Sequence, residues 1–99
     1  LNSSLLGPDA APGTPEFDLF VREVVNEMTV KAGQKCTAIR RAMAPAEHLD
    51  AVEDAIRDRL ARTQVGDPRA EGTRMGALVN RAQKEDVKQR IAEIAAAGA

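Results

Sequence analysis

Glu27-Met28-Thr29-Val30-Lys31-Ala32-Gly33-Gln34-Lys35-Cys36-Thr37-Ala38-Ile39-Arg40-Arg41 is the stretch from which this 99-residue chain is read. It leaves an amphipathic helix, passes a glycine turn and the only cysteine, and enters a segment with strand character. Upstream, Phe17, Phe20, Val21, Val24, Val25 and Met28 recur at i, i+3, i+4, i+7, i+8 and i+11, the apolar stripe of one helix. Thr14 suits its N-cap and Pro15 its first position, while Glu16 and Asp18 favour the positive end of the helix dipole. The spacing predicts a helix to about Lys31, stopped at Gly33, where the backbone can turn without a Cβ penalty. Residues 38–44 predict a short strand ended by Pro45, although Arg40 and Arg41 interrupt the alternation.

Outward from this stretch, residues 1–6 read weakly as a strand, and Gly7, Pro8, Asp9, Pro12 and Gly13 mark a loop. Residues 46–63 predict a second helix with Leu49, Val52, Ile56 and Leu60 on its buried face. Its acids (Glu47, Asp50, Glu53, Asp54) come early and Arg57, Arg59 and Arg62 late, as the dipole favours. Residues 65–72 form a loop, and residues 75–79 are a candidate minor strand. Asn80 and Gln83 pair as a capping box before a third helix that reaches about Ala97, with Val87, Ile91, Ile94 and Ala95 inward and Gly98 as its stop. The order is strand, helix, strand, helix, short strand, helix, which argues for an α/β parent whose excised piece is mostly helical.

Ninety-nine residues is one domain or less. Fourteen Lys+Arg balance fifteen Asp+Glu, so no net field draws nucleic acid or an anionic membrane. Phe17 and Phe20 are the only aromatics, which leaves no base-stacking platform. No apolar run approaches the roughly 18 residues that span a bilayer. A single cysteine allows no internal disulfide and no Cys-pair zinc site, and it fits a reducing, cytoplasmic setting. Residue 1 is Leu, so an excision or proteolytic boundary is expected there.

A lone cysteine in a small domain is most often a buried small hydrophobe. The residues around Cys36 reverse that reading. Gly33-Gln34-Lys35-Cys36 resembles the Gly-Gln-x-Cys nucleophile motif of the aldehyde dehydrogenase superfamily. The longer run from Glu27 to Arg41 is similar to one branch, the dehydrogenase half of the bifunctional ring-opening enzymes of phenylacetate catabolism. The Gly66-Asp67-Pro68 stretch after the second helix is a further point of likeness. Many superfamily members carry an aromatic where Thr29 stands and a small residue where Lys31 stands; the branch shares the present pattern. The resemblance covers essentially the whole chain, residues 1–99, as part of one catalytic domain.

The resemblance implies an α/β dehydrogenase that oxidises an aldehyde, here a CoA-linked semialdehyde, to the acid. Cys36 would be the nucleophile: its thiolate attacks the carbonyl, hydride leaves to NADP or NAD, and water releases the acid. The Cys36 backbone N–H would donate to the oxyanion, and Lys31 and Lys35 could favour the thiolate. Gly33 and Gln34 would shape the loop. Gln83 aligns with a position that reaches the cofactor ribose in some members, yet Asn80 three residues earlier argues for a cap; Asp86 stands where some members carry a basic partner. The general-base glutamate, the oxyanion asparagine and most of the dinucleotide fold would lie outside residues 1–99, so the piece alone is expected to be inactive.

The other polar residues have plainer readings. His48 is a solvated helix residue without a third group to complete a Cys-His site. Asp50, Glu53 and Asp54 serve a helix start rather than a metal, and Arg40-Arg41 is a solvated face that could meet an anion. A non-enzymatic alternative is a small helical module that self-associates through Phe17, Phe20 and Val24. Under either reading, apolar faces left uncovered predict a homo-oligomer.

Overall fold

The computed structural model describes residues 2–98. Its elements are β1 (Asn2–Leu5), α1 (Pro15–Thr29), β2 (Ile39–Met43), α2 (Leu49–Ala61) and α3 (Arg81–Ala96). This is a mixed α/β arrangement, mostly helical. The first strand is shorter than residues 1–6, and Leu1 lies outside the described residues.

β1 and β2 form a two-stranded parallel sheet with Ser3 opposite Arg41, Ser4 opposite Ala42 and Leu5 opposite Met43. An irregularity follows the Asn2–Ile39 pair. The ladder continues one step past β1, where the Leu6 N–H donates to the Met43 carbonyl at 2.9 Å. Parallel strands need a crossover between them, and α1 supplies it.

α1 begins where the caps direct. Thr14 Oγ1 accepts from the Phe17 N–H at 3.3 Å, and Pro15 occupies the first turn, where a missing N–H costs nothing. Phe17, Phe20, Val21 and Val24 are buried on one face, with Leu6 and Ala10 from the entry loop and Val52 from α2. Each of the Phe, Val and Leu side chains among them contributes about 1.5–3 kcal/mol relative to exposure. Ile39, Ala44, Ala51, Ala55 and Ile56 pack around this cluster.

Several expectations are corrected. α1 ends at Thr29, not Lys31, because a 3-10 turn (Val30–Gly33) follows in which Lys31 and Ala32 take left-handed φ of 50° and 53°. Met28 is exposed although its place eleven residues after Phe17 keeps it on the stripe. Residues 46–48 form a separate 3-10 turn (Ala46–His48) before α2, which leaves Leu49 exposed rather than inward. Residues 75–79 make no strand; one parallel bridge, Val65 with Met75, stands in its place. Asn80 caps α3 as expected, accepting the Gln83 N–H at 2.8 Å, but the inward face of α3 is not buried. Among the described residues α3 packs on no other helix or strand, and Val87, Ile91 and Ile94 are exposed.

Candidate active site

Cys36 is exposed, in the turn between the 3-10 segment and β2. The turn closes when the Ala38 N–H donates to the Lys35 carbonyl at 3.1 Å. Ala38 itself is almost wholly buried, so the chain dives into the core two residues after the thiol. Among the described residues the Cys36 N–H donates to no backbone carbonyl.

Long-range and local bonds hold the residues before the thiol. Gly33 has φ of +74°, and a Cβ there would meet the Met28 carbonyl oxygen at 3.3 Å. Gln34 bridges two segments: its Nε2 donates to the Lys31 carbonyl at 3.2 Å and its Oε1 accepts from the Val79 N–H at 3.2 Å. Lys35 Nζ contacts Glu27 Oε1 at 2.8 Å, and its carbonyl accepts from Arg40 Nη2 at 3.2 Å. The Glu27 carboxylate therefore compensates the Lys35 cation, which acts as a tether for the turn. Lys31 is exposed on the left-handed turn. Arg40 belongs to the brace, and only Arg41 keeps the plain solvated role expected of the pair.

Two features were not foreseen in the sequence. Thr29, almost wholly buried, donates its hydroxyl to the Val25 carbonyl at 2.9 Å and accepts from Arg74 Nε at 3.0 Å. Arg74 Nη2 also reaches Asn26 Oδ1 at 2.6 Å, so a residue 45 positions along the chain clamps the end of α1. Thr29, in place of an aromatic, was the one available signal, but nothing local names Arg74 as its partner. His48 is half-buried rather than solvated, and its Nε2 is buried with no partner among the described residues. Glu53 and Asp54 pair with Arg57, and no cluster of metal-ligating side chains occurs among the described residues.

Gln83 does not join the Cys36 turn. Its backbone is spent on the cap and its side chain is exposed. The cleft nearest it in sequence is lined by Val65, Ala77, Leu78, Asn80, Arg81 and Lys84 without Gln83. Asp86 pairs with Arg90 at 3.7 Å. No cofactor step is derived from these residues.

A parallel βαβ unit that presents an exposed cysteine on a Gly-Gln turn defines a thiol-bearing α/β domain segment. By its sequence the chain belongs to the aldehyde dehydrogenase family, whose model matches residues 13–99. It is 56% identical over 94 residues to the 3,4-dehydroadipyl-CoA semialdehyde dehydrogenase of Aromatoleum evansii, covering 95% of this chain and 18% of that protein. It is 31% identical over 84 residues to succinate-semialdehyde dehydrogenase [NADP(+)] 1 of Mycobacterium ulcerans, covering 85% of this chain and 18% of that one. A putative aldehyde dehydrogenase of Staphylococcus saprophyticus is 31% identical over 76 residues, 77% of this chain and 16% of its own length. The chain thus spans less than a fifth of these relatives. No helix among the described residues is long and apolar enough to cross a membrane.

Proposed function

We propose that this chain carries the nucleophile segment of an NAD(P)-dependent aldehyde dehydrogenase that oxidises a CoA-linked semialdehyde of aromatic catabolism, the phenylacetate route being the nearest in kind. The reading rests on the placement of Cys36: an exposed thiol on a braced turn, in a chain 56% identical to a dehydrogenase named for a CoA-linked semialdehyde. As thiolate, Cys36 Sγ attacks the aldehyde carbon. A C–S bond forms while the carbonyl π pair moves to oxygen, giving a thiohemiacetal. The Cys36 N–H is a donor for that oxyanion.

Oxidation of the adduct needs a hydride acceptor, NADP or NAD, and hydrolysis needs a base. No described residue of this chain is placed for either task. Residues 1–99 are therefore one part of a catalytic domain, and the isolated polypeptide turns over no aldehyde. The setting we propose is cytoplasmic, the partner a small aldehyde, and the assembly a homo-oligomer.

Cys36→Ser in the full-length protein tests this reading. Cofactor-dependent aldehyde oxidation should fall by more than about a thousandfold with folding unchanged, since a nucleophile has no substitute within its own catalytic unit. Oxidation at the unsubstituted rate would remove Cys36 from the chemistry. The second reading, a helical module self-associating through Phe17, Phe20 and Val24, loses that surface, because these side chains are buried in the chain's own core; only the exposed apolar residues of α3 favour self-association.

A further inference from the structure

Arg22 on α1, Arg59 and Arg62 at the C-terminal end of α2, and Arg74 before α3 line one cleft of about 290 Å³. Asn26 and Thr29 share its wall, and no acidic side chain does. Four converging cations require an account, and helix ends supply part of one. The C-termini of α1 and α2 open here, each equivalent to about half a negative charge. Arg22 also contacts Glu23, at 3.1 Å. Together these offset about two of the four positive charges. Arg59 and Arg62 form no ion pair among the described residues. Arg74 donates only to neutral acceptors, the Thr29 hydroxyl and the Asn26 oxygens. About two positive charges stay uncompensated in a cleft built of guanidinium groups.

We propose that this cleft binds the phosphorylated ribose end of an adenine nucleotide, that of the CoA thioester. A phosphate monoester carries about −1.5 to −2 charge at neutral pH, which matches the excess; a carboxylate would neutralise half of it. Guanidinium forks suit phosphate oxygens bidentately, and the volume lies at the small end of ligand pockets, enough for one end of a nucleotide. The cleft is also close in sequence to the reacting turn. Thr29 lines it as the last residue of α1, and Cys36 follows in sequence beyond the Val30–Gly33 turn. The anion site stands on the arginines alone; its assignment to CoA rests on the function proposed above.

The test is calorimetric titration of the full-length protein at low salt with adenosine 3′,5′-bisphosphate, adenosine 2′,5′-bisphosphate and inorganic phosphate. The quantity read is the binding removed by the double variant Arg59→Gln/Arg62→Gln, because nucleotide sites elsewhere are untouched by it. The 3′,5′-bisphosphate should bind about tenfold or more weakly to the double variant, and Arg69→Gln, outside the cleft and paired with Asp67, should change nothing. Affinity indifferent to the double substitution, or no binding at all, overturns the site. A greater loss for the 2′,5′-bisphosphate points to the phosphate of NADP and overturns the assignment to CoA, as does an equal loss for inorganic phosphate. Cys36→Ser leaves these titrations unchanged, so failure of the cysteine reading is seen separately in the oxidation assay.

Discussion

Gly33 is the third of three consecutive residues with positive φ, after Lys31 and Ala32. Left-handed backbone costs a residue with a Cβ about 1–2 kcal/mol, and the chain bears that twice to place the Cys36 turn. At Gly33 a Cβ would add a 3.3 Å approach to the Met28 carbonyl oxygen, which belongs to the helix end and has little room to yield. Gly33→Ala should therefore destabilise the fold by about 1–3 kcal/mol, read as a lower midpoint in chemical denaturation. An unchanged midpoint would mean that the turn is not held as described. This residue was legible in the sequence because glycine before a lone cysteine limits the local options. Lys31 and Ala32 were not, because helix-compatible side chains give no sign of left-handed backbone. The charge of Lys35 was misread for a related reason. Its partner Glu27 lies eight positions back, across the turn, where no helical or strand spacing pairs residues.

At the scale of elements, caps were more legible than packing. Thr14 and Asn80 each accept the N–H three residues on, because that bond depends only on local geometry. What α1 and α2 bury was also visible, apart from Met28 and Leu49 at the ends of their stripes. The stripe of α3 was visible too, but periodicity says only that a face wants cover, not that the chain provides it. Since α3 packs on no other element among the described residues, its order rests on its own turns and its cap. Asn80→Ala should cost this helix about 1 kcal/mol. The expected record is a loss of helical ellipticity at low temperature while the melting of the α1–β1–β2–α2 core stays in place. A shift of the core transition by several degrees would mean that α3 is coupled to it.

The whole molecule divides into a packed half and an extended half. The buried apolar residues run from Leu6 to Val52, and no residue from 64 to 98 is buried. Among the described residues two bonded links join the halves: Arg74 to Asn26 and Thr29, and Val79 to Gln34. A helix of 16 residues without tertiary cover is marginal in water. In native-state hydrogen exchange on this chain, amides of residues 84–96 should therefore exchange orders of magnitude faster than those of residues 19–29. The Arg74 clamp predicts an intermediate class near residues 74–75, where the Arg74 and Met75 N–H groups donate to the Gln64 carbonyl. Protection of α3 equal to that of α1 would contradict an uncovered helix and require a second surface on Val87, Ile91 and Ile94. Dilution separates the sources of such cover. Protection that falls with protein concentration belongs to another copy of the chain, the homo-oligomer proposed above, because mass action weakens contacts between molecules and not those within one.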